Sequence, residues 1–333
     1  MKISTAAGGA IAGACLVVGG WFASGALAQQ LAHTSFAMPR DVVSAATAFQ
    51  TYMSRAARID GGFADGDGVE RSLRTASAFE PAQLDEGMIA YGAIAALQDA
   101  RFVDGVEAAA GQGGRRVAFA ERLIDDPYAI TQVDGAAEAG ERVDAALSAE
   151  AKPLVVAAAE VRDAAYAVQR QVWSRVAVGD ANGRLAEVKR LSLARAAPSE
   201  ADNRAMMQAL ADADPSLQDE APRFTKLQAR ALALAAESVL GYAHGIDRTW
   251  LSPLLTEADS AQCLKMAKLN LYQCMAVAGP QYEDIYCLGR HALNDTAQCV
   301  DDAAHGSSLG VAMLSPRPPA APVSDGRRQF PPN

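Results

Sequence analysis

The stretch KPLVVAAAEVRDAAYAVQRQVWSRVAV, from Lys152 to Val178, carries the clearest periodicity in the chain. Leu154, Ala158, Val161, Ala165, Val168, Val172 and Val176 recur every three or four residues. That spacing lays one apolar stripe along a helix, the face that must be buried. Glu160, Asp163 and Arg170 fall mostly off the stripe. Pro153 stands near the start, where its missing N–H leaves nothing unpaired. The pattern predicts a central helix of a bundle.

Similar spacing recurs outward from this segment. Helical patterns cover 41–58, 70–79, 83–100, 115–124, 136–149, 152–177, 182–196, 200–212, 223–244 and 258–278. Alternation with period two is almost absent, so strands are not expected. Alanine is abundant and aromatics are only 6%. Alanine is the best helix former and lets helices approach closely. The expected fold is all-α, a multi-helix bundle over 41–304, with a possible division into lobes 41–150 and 151–304. A linker occupies 29–40. The proline-rich end, 305–333, has no periodic apolar face and reads as a disordered tail.

Bulk composition sets limits on function. The chain has 333 residues, 50% hydrophobic and 21% charged, enough for a packed core. Its formal net charge of -9 opposes binding to nucleic acid, whose phosphates demand cations. The first 28 residues carry Lys2, an apolar run and the small-residue signal Ala26-Leu27-Ala28. They read as a signal peptide cleaved before Gln29. After cleavage no apolar run is long enough to span a bilayer. The expected location is periplasmic or secreted.

Few residues point to chemistry. The sequence has no dinucleotide fingerprint, phosphate loop, nucleophile elbow or haem motif. Asp60, Asp65 and Asp67 sit in a glycine-rich turn, but neither frame places ligands as a calcium loop requires. His33, His244, His291 and His305 form no paired metal spacing. No metal and no cofactor are expected. Glu70, Glu80, Asp85, Glu86, Asp125 and Asp126 are carboxylates that a glycan hydrolase could pair. Tyr166, Gln169 and Trp173 offer an aromatic and amide face for a ligand or partner, with His291 as a further candidate. The expected function is a non-enzymatic binding or assembly protein of the bacterial cell envelope. Its partner would be a protein or an envelope component. The alternative is an envelope enzyme, such as a peptidoglycan or glycan hydrolase using paired carboxylates.

The cysteines allow a sharper statement. Cys15 leaves with the expected signal peptide, and Cys263, Cys274, Cys287 and Cys299 remain, an even set in a chain expected to be exported, which favours disulfides. Zinc sites prefer cysteines two to four residues apart, a spacing absent here. On one continuous helix Cys263 and Cys274 would be separated by about 16 Å of rise. A disulfide needs Cα atoms within about 7 Å, so they cannot pair with each other. Gly279-Pro280 breaks the helix and makes the two arms antiparallel. Antiparallel arms pair inner with inner and outer with outer, giving Cys274–Cys287 and Cys263–Cys299. Eleven positions on the first arm is close to three turns. The twelve positions on the second arm overshoot by about a third of a turn. Gly289 or Asn294-Asp295 must absorb the difference. The region resembles twin-cysteine helical hairpin proteins, although the gaps of ten and eleven residues differ from their usual nine.

Overall fold

The computed structural model describes residues 38–213, 215, 224–242 and 248–306. The expected signal peptide, most of the linker, His33, His244 and the tail from 307 onward lie outside the described residues. Thirteen α-helices account for most of the described chain, and no strand occurs among the described residues. They are α1 (Arg40–Ala56), α2 (Gly66–Ser77), α3 (Pro81–Ala96), α4 (Ala100–Ala110), α5 (Gly114–Asp125) and α6 (Ala136–Val168). Then follow α7 (Ala181–Leu191), α8 (Glu200–Asp212), α9 (Lys226–Val239), α10 (Arg248–Leu251) and α11 (Ala258–Val277). The last are α12 (Gln281–Cys287) and α13 (Thr296–His305), joined by a π-helical segment, Leu288–Asp295. Most of the buried apolar residues form one cluster that includes both Met38 and Ala304.

The most enclosed helix is α3, buried continuously from Gln83 to Ala96. Pro81 opens it, and the Glu80 side chain accepts from the N–H groups of Ala82 and Gln83. Those are donors that a helix start leaves unpaired. Helix α1 lies against α3 where Gly87 leaves room. A Cβ there would come 2.6 Å from the Ala45 carbonyl oxygen and 2.7 Å from Phe49 Cβ. Any larger residue would push the two helices apart.

The long helix α6 differs from its sequence reading at both ends. It begins at Ala136, so the segments 136–149 and 152–177 are partly one element and Pro153 lies inside it. Pro153 is exposed, so the carbonyl it leaves without a backbone partner sits on the wet face. Leu154, Ala158, Val161, Ala165 and Val168 are buried as the stripe requires. The helix then stops at Val168, ahead of the predicted end at 177. Ser174 Oγ donates to the Val168 carbonyl, and Arg175 Nε donates to that of Gln169 at 2.7 Å. These side chains satisfy carbonyls that a helix end leaves open. Val172 and Val176, read as stripe members, are consequently 85% and 57% exposed. Helix α4 has no counterpart in the sequence reading.

Two disulfides staple the C-terminal hairpin. Cys263–Cys299 and Cys274–Cys287 have Cα separations of 5.6 and 5.7 Å. The π segment Leu288–Asp295 takes up the twelfth residue of the second arm. A π turn is wider, bonding i to i+5, so each residue advances less around the axis. Cys287 and Cys299 thereby share the face that meets Cys274 and Cys263. Gly289 lies within this segment, against α6. A Cβ on it would be 2.9 Å from the Arg162 backbone nitrogen.

Candidate functional site

A cleft of about 480 Å³ opens between α2, the start of α7 and α12. The backbone beside it is extended. Val178 N–H donates to the Gly279 carbonyl at 3.0 Å, and Gln281 N–H donates to that of Val176 at 3.3 Å. This small bridge ties the chain after α6 to the tip of the hairpin.

The wall of the cleft carries Glu70 and Arg74 of α2 and Glu187 of α7. Arg74 lies 2.7 Å from Glu70 and 3.6 Å from Glu187. Glu187 also pairs with Arg190, whose hydrogen bond holds its carboxyl below the usual range. Asp180 caps α7 by accepting from Gly183 N–H at 2.8 Å. The floor is an ion pair, Arg184 with Asp284, whose side chains are only 7% and 1% exposed. Arg184 also donates to the Met275 carbonyl at 3.2 Å, so it grips both arms of the hairpin. Burial pushes the Asp284 carboxyl up, and the guanidinium opposes that rise.

A second buried basic side chain, that of Lys268 of α11, has no acidic partner among the described residues. Its Nζ donates to the Ser77 carbonyl at 2.8 Å and lies 3.4 Å from the centre of the Phe79 ring. Burial holds its pKa well below the ordinary value. Other buried carboxyls are displaced upward for the same reason. Asp85 rises to about 6, Glu150 to about 7 and Glu237 to about 7.

The residues singled out from sequence are dispersed. Glu70 lines the cleft. Glu80 caps α3, and Glu86 pairs with Arg195 at 3.0 Å. Asp85 reaches across to the start of α11, accepting from Glu257 N–H at 3.0 Å and from Ser260 Oγ. Asp126 caps the 3-10 turn Pro127–Gln132. Asp125 closes α5 and is exposed. Asp65 caps α2 through Gly68 N–H at 2.8 Å, and Asp60 accepts from Gly62 N–H at 2.9 Å. No group of three or more His, Cys, Asp or Glu side chains is placed to hold a metal among the described residues.

Tyr166 and Gln169 are exposed near the end of α6. Tyr166 meets Tyr286 of α12 edge-on, with ring centres 6.4 Å apart. Trp173 is half-buried in the following turn and bonds Gln171. His291 lies elsewhere, in the π segment, with Nδ1 2.9 Å from Asp295 Oδ2. Asp295 also receives Arg290 and, at 3.3 Å, Asn270. His305 sits between Asp144 and Asp301, each at 3.2 Å. Sequence reasoning missed Arg184, Asp284 and Lys268. No motif links Arg184 and Asp284, which lie 100 positions apart. No family model, curated protein or solved structure matches the chain at a significant level.

Proposed function

We propose that this chain is a non-enzymatic binding or assembly protein of the bacterial cell envelope, periplasmic or secreted. Its partner face is the apolar surface around the hairpin tip. One observation carries this reading: Val172, Val277, Tyr166 and Val176 are 85%, 83%, 62% and 57% exposed. They lie on segments that the 176–281 bridge holds together. Large apolar side chains left this exposed on adjoining segments support an interaction surface there. Two disulfides suit the oxidising compartment in which such a protein would work. Among the described residues no helix is long and apolar enough to cross a membrane. The test is cross-linking of the purified protein in envelope extracts, with cross-linked peptides mapped by mass spectrometry. Cross-links should fall on 166–176 and 277, and the double substitution Val172→Asp, Val277→Asp should remove them. The same partners captured undiminished by that variant would end this reading.

A glycan hydrolase is the second reading, favoured by the carboxylates Glu70 and Glu187 in one cleft. Both already engage Arg74. Release of soluble fragments from purified peptidoglycan, lost in Glu70→Gln, would establish it.

A further inference from the structure

The chain between α7 and α8 crosses the start of α3 as a strap. Residues 194–199 carry neither helix nor turn, and the five side chains from 193 to 197 are all exposed. Apolar burial therefore does little to hold the strap down. Its hold comes from two polar side chains of α3 that are themselves buried, Gln83 and Glu86. Gln83 Nε2 donates to the Ala196 carbonyl at 2.8 Å, and Gln83 Oε1 accepts from Ala196 N–H at 2.7 Å. Arg195 donates to Glu86 at 3.0 Å and reaches Glu80 at 3.5 Å. A hollow of about 260 Å³ separates residues 194–198 from Ala48, Thr51 and Arg55 of α1.

These contacts read a peptide rather than a particular loop. An amide that both donates to and accepts from one residue's backbone treats it as a neighbouring strand would, whatever its side chain. The buried Glu86 carboxylate beside it reads a cation, and a guanidinium is the cation that keeps its charge there. The strap side chains at 194, 196 and 197 are all alanine, so the surface over α3 meets only small groups around that arginine. Another segment making the same bonds would replace like with like. The displaced strap would return to water side chains that already face it.

We propose that the start of α3 is a binding site for an extended peptide with arginine followed by a small residue, which the strap occupies in cis until such a segment displaces it. Gln83 holds the main chain of the small residue, and Glu86 with Glu80 holds the arginine. The site rests on the reading of the chain as a binding protein and uses residues other than those of the hairpin tip. The tether gives the strap a high effective concentration, so a peptide in trans competes best when the strap's own arginine is removed.

Fluorescence anisotropy of a labelled peptide, Leu-Ala-Arg-Ala-Ala-Pro-Ser, titrated with the full chain tests this. Arg195→Ala should bind the peptide saturably and about tenfold or more tighter than the wild type. The peptide with alanine in place of arginine should not bind, and adding Glu86→Gln to Arg195→Ala should remove binding. Adding Val172→Asp, Val277→Asp instead should leave it intact, so failure here and failure of the partner face can be told apart. Hydrogen exchange of the wild type is the measurement that needs no variant. Millimolar peptide should speed exchange at 194–198 severalfold and leave α6 unchanged. No saturable binding to a folded Arg195→Ala, equal binding of the arginine-free peptide, or exchange at 194–198 unmoved by peptide would overturn the proposal. Each would make the strap a fixed part of the fold.

Discussion

Helix α11 contributes to two buried cationic sites, and they are built differently. Near its end, Arg184 enters with a counter-ion, Asp284, and a carbonyl acceptor at Met275. Near its middle, Lys268 is buried with one carbonyl and an aromatic face. A guanidinium cannot shed its proton in a protein, so its burial demands a charge partner. An ammonium can shed its proton, and desolvation favours that outcome. The first site is held by a mutual dependence, whereas burial shifts the second toward its neutral form. The two should therefore respond in opposite ways to mutation and to pH.

The largest effect should come from removing one member of the pair. Asp284→Ala leaves Arg184 charged, buried and unpaired. It should destabilise the protein by about 3–5 kcal/mol, read by urea unfolding. If the loss is below about 1 kcal/mol, the paired site is no different from the Lys268 site.

Next is the inner disulfide, which fixes the arms on which Met275 and Asp284 stand. Replacing Cys274 and Cys287 by serine should cost about 3 kcal/mol. In that background the further loss from Asp284→Ala should shrink, because the sites share a support. The effect of Lys268→Met should be unchanged. Equal and additive losses at both sites would break the comparison.

A pH titration of stability sharpens it. Burial raises the carboxyls of Glu150 and Glu237 to about 7. The native state thus retains protons that the unfolded chain, titrating near 4, has released. Stability should fall as pH rises from about 4 to about 7, by roughly 1–3 kcal/mol per group. Glu150→Gln and Glu237→Gln should flatten that slope in thermal melts. Below about pH 4 the trend reverses, because Glu107, Glu187, Asp202 and Asp295 are held below their usual values.

The smallest effect should be at Lys268. Lys268→Met removes a cation that burial already disfavours, and stability at neutral pH should change by about 1 kcal/mol or less. The unfolded chain holds this proton up to about pH 10, and the native state releases it at lower pH. The wild type should therefore gain stability with rising pH in the alkaline range, and the variant should not. A loss of about 3 kcal/mol or more at neutral pH would show Lys268 charged and locked in place.

The sequence exposed what depends on spacing along one element and hid what depends on distant elements meeting. The stripe from Leu154 to Val168 and the cysteine pairing follow from helical geometry alone. So does the misfit on the second arm, which the π segment accommodates across Gly289 and Asn294-Asp295. The stripe failed beyond Val168 because a local competitor won. Ser174 and Arg175 take the last carbonyls, and periodicity at Val172 and Val176 carries no trace of that. Helix α4 escaped because Gln98 and Asp99 look like a simple continuation of α3. Asp99 is instead a new cap, accepting from Phe102 N–H at 3.0 Å. The cleft was illegible in principle. Its floor pairs α7 with α12, and nothing in either segment names the other.

The nested staples also divide the molecule mechanically. A pull applied through the chain ends is carried past Cys263 and Cys299 by their sulfur bridge, which closes 36 positions. About 120 Å of contour would stay hidden from a stretching experiment until that bridge is reduced. Asp284 is inside the shielded loop, while Arg184 and the wall residues of α2 and α7 are outside it. Tension would draw the walls of the cleft and Arg184 away from Asp284, which stands in the loop that does not extend, so the site would open under load before the hairpin gave way.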